Sequence, residues 1–112
     1  MSVRTEVRLW VAQRATAAVL AFCVAVHLVT IIYAVRGGLS AAEILERTRG
    51  NVAMAVFYAI FVLSAAIHAG IGLRNVAAEW LGWSGSPARF AVMFFSLLLA
   101  LLGFRAVWAV FA

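Results

Sequence analysis

The sequence predicts an all-α integral membrane protein, a bundle of three transmembrane helices joined by short loops. Of its 112 residues, 67% are hydrophobic and only 12% are charged, whereas soluble domains are about half apolar and a quarter charged. A soluble domain of this size buries only about two thirds of the surface that its unfolded chain exposes, so much of this apolar surplus would face water. The apolar residues also fall into three long runs, which favours a lipid environment.

Each apolar run is long enough to cross a membrane. About 20 consecutive, mostly apolar residues span the hydrocarbon core as a helix, and the runs cover about residues 9–35, 52–73 and 88–111. We therefore expect one transmembrane domain over residues 1–112. The first run is too long for the core of an export signal and no small-residue cleavage site follows it, so we expect this helix to remain in the mature protein.

The two connections between the runs carry different turn signals. After the first run, Gly37 and Gly38 break the helix, and residues 41–48 have the pattern of a short amphipathic helix at the membrane surface. The second connection combines interfacial tryptophans with the pair Ser86-Pro87, which is typical of the start of a helix.

The basic residues indicate an orientation and argue against one class of partner. All nine are arginines, against four glutamates, and they lie at the ends of apolar runs rather than in one cluster, which argues against nucleic-acid binding. Cytoplasmic flanks of spans carry an excess of positive charge. We expect a cytoplasmic N-terminus, because that side has Arg4, Arg8, Arg14, Arg74 and Arg89, against Arg36, Arg47 and Arg49 on the other.

The candidate functional groups among the ionisable side chains inside the predicted spans are Arg14, His27, His68 and Arg105. Such groups cost a few kcal/mol near the bilayer centre and usually face a partner, a cavity or a cofactor. A lone membrane histidine is commonly hydrogen-bonded to a neighbouring carbonyl or hydroxyl group, and this alternative stays open for both rings. Two histidines on successive helices favour haem, because neutral imidazole is a good axial ligand and an apolar bundle offers a dry slot for the macrocycle.

Small residues surround His68. Ser64, His68 and Gly72 recur at spacings of four and therefore share one helix face, which would leave room for a flat ring beside the imidazole. The alternative interpretation is that Gly70 and Gly72 merely allow two helices to pack closely.

The segment from His68 to Glu79 resembles the signature of the cytochrome b membrane anchor subunit of succinate dehydrogenase and fumarate reductase. That signature is a haem-ligating His, three residues, Gly, an aliphatic residue, Arg, usually His, an aliphatic residue, any residue, an aromatic residue and Asp. The matching residues here are His68, Gly72, Leu73, Arg74 and Val76, and the departures are Asn75, Ala78 and Glu79, which stand for the second His, the aromatic residue and the Asp.

A second segment, Gln13-Arg14-Ala15-Thr16-Ala17, is similar to the start of the first helix in the same family. There the pattern is His or Gln, Arg, any residue, Ser or Thr, and Gly. The resemblance implies that Arg14 and Thr16 lie at a quinone site. It also implies that His68 ligates haem b and that Arg74 belongs to the same cofactor site.

The resemblance further implies a function and partners. Electrons would pass from a flavoprotein subunit that oxidises succinate, through an iron–sulfur subunit on the cytoplasmic face, to quinone in the inner (cytoplasmic) membrane, and this chain would anchor the pair. A fumarate reductase would have the same features. The chain has no flavin motif, cysteine cluster or nucleophile constellation, so we expect no catalysis by this chain alone. The alternative is a haem-free assembly factor or transporter subunit.

The two histidines are predicted to lie at different depths in the membrane. His27 lies about eight residues before the end of the first run and His68 about sixteen residues into the antiparallel second run, an offset of roughly 12 Å. We therefore expect each ring to bind a different haem, with a second membrane subunit or a second copy of this chain providing the missing ligands. The alternative is one haem at His68, with His27 a packing residue.

Two further side chains have open assignments. Arg105 lies at about the depth of His27, where it would either pair with a haem propionate or extend to the membrane interface. Tyr58 is expected to pack against neighbours or to face lipid.

Overall fold

The computed structural model describes residues 2–112 and consists of four helices. They are α1 (Val3–Gly37), α2 (Ala41–Thr48), α3 (Val52–Leu81) and α4 (Ser86–Phe111), and no strand occurs within the described residues. Three of the helices, α1, α3 and α4, are long and apolar enough to cross a membrane, and each contains one of the predicted spans. The predicted all-α class with three spans is confirmed.

The central helix of the bundle is α3. It packs along both α1 and α4, whereas α1 and α4 make little contact with each other. The bundle is elongated, with extents of 49 × 23 × 23 Å. Most large apolar side chains point outward, as expected when lipid rather than water surrounds the helices.

Small residues bring α3 and α4 together. A Cβ atom added at Gly70 would lie 3.0 Å from Ser96 Oγ, and one added at Gly103 would lie 2.5 Å from a methyl group of Val62. The Ser96 hydroxyl also donates to the backbone carbonyl of Ala66 at 2.7 Å. Residues without side chains allow membrane helices to approach in this way. Gly70 therefore serves the α3–α4 contact, which agrees with the packing alternative for this residue.

The ends of the helices follow local capping signals. Ser2 caps α1, and Ser40 and Glu43 form a reciprocal capping box at the start of α2. The α3 helix continues beyond the apolar run to Leu81, where Gly82 adopts a left-handed conformation with φ 61°. This conformation costs glycine nothing and commonly ends a helix.

The short helix α2 coincides with the amphipathic segment predicted at residues 41–48, and it lies across one end of the bundle. Thr48 Oγ1 donates to the carbonyl of Val110 in α4 at 2.8 Å. Arg47 Nη2 donates to the carbonyl of Gly38, at the end of α1, at 2.7 Å. These two bonds connect α2 with both outer helices.

Candidate functional site

The imidazole of His68 contacts a hydroxyl group on the neighbouring helix. His68 Nδ1 lies 3.2 Å from Thr16 Oγ1 of α1. Thr16 Oγ1 also lies 2.7 Å from the carbonyl oxygen of Ala12 and 3.2 Å from that of Gln13. Within the described residues, the other ring nitrogen, Nε2, has no hydrogen-bond partner. The Nδ1 side of the ring is thus held by α1, and Nε2 is available to a ligand.

A groove of about 700 Å³ lies beside this ring, between the first half of α1 and the second half of α3. A volume of this size is common for cofactor and small-molecule sites. The groove combines apolar and charged side chains, and its lining includes Trp10, Gln13, Arg14, Ala17, His68, Ile71 and Arg74. Of the residues predicted from the sequence, the structure therefore brings His68, Arg14 and Arg74 to one groove, with Thr16 bonded to its histidine.

The two arginines of the groove have different partners. The guanidinium of Arg14 lies 5.5 Å from the centre of the Trp10 ring, a cation–π contact. Arg74 Nη2 donates to Glu6 Oε1 at 2.8 Å across the α1–α3 interface. Both members of this ion pair are partly exposed, so it stabilises the fold by at most about 1 kcal/mol. Its main effect is to hold a guanidinium group in the lining of the groove.

Gln13 provides a buried polar atom without a partner. Its Oε1 accepts no hydrogen bond from the described residues, and such atoms are uncommon in proteins unless a ligand or water satisfies them. Its Nε2 lies on the α3 side, where a Cβ added at Gly72 would be 3.4 Å away. In the sequence, Gln13 is only a position in a motif, because burial without a partner is visible only once the helices are packed.

The predicted small-residue face of α3 is divided between its two neighbours. Gly72 contacts Gln13 of α1, on the side that also holds His68. Ser64, one turn before His68, is buried with 8% of its surface exposed. Gly70 instead faces α4. Only Gly72 and His68 are thus shown to share the α1 side.

His27 belongs to a second polar cluster, near the opposite end of α1. Its Nδ1 lies 3.0 Å from the hydroxyl of Tyr58, which is 3.3 Å from Thr30 Oγ1. Tyr58 and Phe61 both meet the imidazole edge to face, with ring centres 5.6 and 5.7 Å away. Tyr58 packs against its neighbours as expected, and its hydroxyl also pairs with His27, a bond that the sequence did not predict. Only the register of α1 against α3 reveals this pair.

The contacts fix the depths of the two histidines. Thr16 is level with His68, and Tyr58 is level with His27. The stretch of α1 from Thr16 to His27 corresponds to about 16 Å at 1.5 Å per residue. This offset exceeds the roughly 12 Å expected from the sequence, because the ends of the apolar runs are not level with each other. The two rings lie too far apart to ligate one iron.

Arg105 lies away from the groove of His68. Its side chain is exposed on α4, shortly after Gly103, which contacts Val62 of α3. This register places Arg105 near the depth of Tyr58 and hence of His27, in agreement with the expected depth. The choice between a propionate partner and the membrane interface stays a prediction.

The imidazole of His68 is a donor of the kind that haem uses. Among residues 2–112 there is no cluster of three or more His, Cys, Asp or Glu side chains that could hold a metal. Haem iron needs only axial ligands from the protein, and one imidazole nitrogen of His68 is available for that purpose. The groove is also lined by two guanidinium groups, those of Arg14 and of Arg74, the second of which is paired with Glu6.

The sequence profile of one protein family matches nearly the whole chain. The family is described as the succinate dehydrogenase/fumarate reductase transmembrane subunit, and the match covers residues 1–108. No curated protein and no solved structure matches this chain.

Proposed function

The chain belongs to the family of succinate dehydrogenase/fumarate reductase transmembrane subunits, and from this premise we propose that it binds haem b and passes electrons between an iron–sulfur subunit and membrane quinone. Family membership confirms the resemblance drawn from the sequence. With three apolar helices of spanning length, the chain is a multi-pass membrane protein with an anchoring role. The observation that carries the proposal is the ring of His68, bonded through one nitrogen and free at the other, beside a groove lined by arginines.

His68 is the proposed axial ligand of the haem in this groove. Its Nδ1 is engaged by Thr16, so the ring is oriented while Nε2 is available to iron. Gly72 and Ser64 are the proposed small residues beside the ring, and Arg74 is the proposed partner of a carboxylate side chain of the cofactor. When bound, haem would supply reversible one-electron transfer in the apolar bundle.

We propose that His27 binds a second haem, with Arg105 near its propionates. The depth difference of about 16 Å supports two separate centres. The bond between His27 and Tyr58 is compatible with this role, since imidazole ligands usually bond a second group through their other nitrogen. It is equally compatible with the one-haem alternative, in which Tyr58 simply satisfies the buried ring.

The partners follow from what this chain lacks. Because His27 and His68 cannot share one iron, the second ligand of each proposed haem must come from another membrane subunit or another copy of this chain. The flavoprotein and iron–sulfur subunits are the proposed electron donors on the cytoplasmic side of the inner membrane, next to the arginine-rich N-terminal end. Succinate oxidation and fumarate reduction would use the same anchor.

The quinone is proposed to bind in this groove, beside Arg14. Arg14 lines this region, and its guanidinium has donors for a quinone carbonyl, which is an acceptor. The resemblance implies that Thr16 also lies near the quinone. That assignment stays a prediction, and the hydrogen bonds of Thr16 support a different role that is argued from its geometry below.

The test is the reduced-minus-oxidised absorption spectrum of the complex purified with its partner chains. His68→Ala should remove one b-type centre and His27→Ala a different one that titrates separately. Tyr33→Phe, at a largely exposed position of α1, should leave both and serves as the control. Loss of the same single centre in both histidine variants would refute the two-haem assignment. A complex without any b-type signal would refute the proposed function and favour a haem-free assembly factor or transporter subunit.

A further inference from the structure

Thr16 lies between its own helix and His68, in contact with both. We propose that Thr16 is the positioning residue of His68: its oxygen accepts the Nδ1–H of the ring and thereby keeps Nε2 as the unprotonated nitrogen. This inference rests on the proposed function, in which Nε2 is the atom that meets iron, and it adds a role that neither the motif nor the family description gives to this residue.

The direction of the hydrogen bond follows from the number of protons available. A threonine hydroxyl has one proton, and a backbone carbonyl can only accept. The distance of 2.7 Å between Thr16 Oγ1 and the carbonyl oxygen of Ala12 therefore requires that the hydroxyl proton lie in that bond. The weaker contact at 3.2 Å is also to a carbonyl, that of Gln13, and leads to the same conclusion. Thr16 has only lone pairs left for a third partner.

His68 must then supply the proton of the bond to Thr16. The two atoms, Nδ1 and Oγ1, lie 3.2 Å apart, and a neutral imidazole has a single proton, on one of its two nitrogens. If that proton is on Nδ1, Nε2 has a lone pair, which is the form that binds a metal. A protonated Nε2 would instead leave two lone pairs facing each other between Nδ1 and Thr16.

The acceptor is set by α1 itself. The bond from Thr16 to Ala12 joins residues one turn apart, a common arrangement for threonine within a helix. It does not depend on α3 or on a cofactor, so the lone pairs of Thr16 are in place before His68 is bound. The same bond leaves no proton for a quinone carbonyl, whereas Arg14 in the same groove has several donors.

His27 provides an internal comparison, because its tautomer is not fixed in this way. Thr30 donates to the carbonyl of His27 at 2.7 Å. The Tyr58 hydroxyl then has two acceptors within reach, His27 Nδ1 at 3.0 Å and Thr30 Oγ1 at 3.3 Å. If Tyr58 donates to His27 Nδ1, that nitrogen has no proton and the ring proton is on Nε2. If Tyr58 donates to Thr30 instead, its oxygen accepts from His27, and the ring proton is on Nδ1. The structure thus determines the tautomer at His68 alone.

The tautomer is measurable without haem, by ¹⁵N NMR of the full chain in lipid nanodiscs with labelled histidine. In the His27→Ala background, the remaining His68 should show a protonated Nδ1. Thr16→Val keeps the shape of the side chain but removes the acceptor, so Nε2–H should become populated. Thr16→Ser should restore the original spectrum. Thr30→Val is the matched control, because it also removes a hydroxyl group from α1. It should leave the spectrum of His68 unchanged.

The assembled complex gives a second readout. Thr16→Val should weaken haem binding at His68 by about 10–100-fold, as is typical when the second partner of a ligating histidine is removed, and should shift the midpoint potential of that haem. Thr16→Ser should retain both. An unchanged tautomer and haem content in Thr16→Val, or a protonated Nε2 in the wild type, would overturn the inference. A protonated Nδ1 in a chain whose complex holds no haem would support the contact and refute the proposed function.

Discussion

Replacing Gly103 with alanine should force α3 and α4 apart. The added Cβ would lie 2.5 Å from Cγ1, 2.9 Å from Cγ2 and 3.2 Å from Cβ of Val62, whereas carbon atoms in favourable contact are about 3.5–4.0 Å apart. A valine in a helix keeps one χ1 rotamer in about 90% of cases, and its Cβ cannot rotate away. The two helices must therefore separate by roughly 1 Å.

The expected cost follows from comparison with a second glycine. Overpacking of this kind costs about 1–3 kcal/mol, while exchanging glycine for alanine within a helix gains up to about 1 kcal/mol. At Gly72 the added Cβ would be 3.4 Å from Gln13 Nε2, an ordinary contact, so only the gain applies. The gain from exchanging glycine for alanine is the same in both variants and cancels in the comparison. Only the overpacking cost remains, so Gly103→Ala should be about 1–3 kcal/mol less stable than Gly72→Ala.

The assay is SDS-induced unfolding of the full chain in mixed micelles, followed by circular dichroism. A double variant, Gly103→Ala with Val62→Ala, removes both clashing methyl groups and should recover most of the loss. Equal stability of Gly103→Ala and Gly72→Ala would mean that α3 and α4 do not approach as described. A double variant as unstable as the single one would show that the clash with Val62 is not the cause.

Three further predictions concern the other polar contacts. Tyr58→Phe should shift the midpoint potential of the haem at His27 and leave the other haem unchanged in a redox titration; a shift in both would contradict the separate clusters. Ser96→Ala removes an interhelical hydrogen bond and should lower stability in the SDS assay by about 0.6 kcal/mol, and no loss would mean that the bond is replaced. The bond from the Ser40 backbone N–H, and then the Ser40 hydroxyl, hold the pKa of Glu43 below its ordinary value. The cap is therefore complete above the ordinary carboxylate pKa and is lost as the pH falls through the lowered value. The protection factors of the first amides of α2, which compare measured exchange with the intrinsic rate at each pH, should fall on acidification in the wild type but not in Glu43→Gln, which keeps a capping side chain.

The sequence predicted which segments are helices better than where they end. The glycine break and the amphipathic pattern placed α2 at its observed bounds, and the structure adds the capping box of Ser40 and Glu43 that fixes its start. The sequence placed the end of the second span at residue 73, although α3 continues to Leu81. Hydropathy reports where the hydrocarbon core ends, whereas the helix continues through the headgroup region until Gly82 allows the left-handed turn that stops it.

The candidate site was predictable as separate residues but not as a set of contacts. His68 and His27 stand out because an ionisable ring within an apolar run is costly. The pairing of each ring with Thr16 or Tyr58 depends on how far α1 is shifted along α3, and neither composition nor periodicity specifies that shift. The unpaired oxygen of Gln13 has the same origin, since the sequence around this glutamine gives no sign that its side chain will be buried without a donor.

The polar contacts between α1 and α3 also bear on the order of membrane insertion. The partners of Thr16 and His27 on the neighbouring helix, His68 and Tyr58, both belong to α3, which is synthesised later. Until α3 enters the bilayer, His27 has no tyrosine to bond, and an unsatisfied polar ring in hydrocarbon is costly. We therefore expect α1 to reach its final depth and rotation only after α3 has been inserted. In a nascent chain that stops after α2, the first helix would not yet have that depth and rotation.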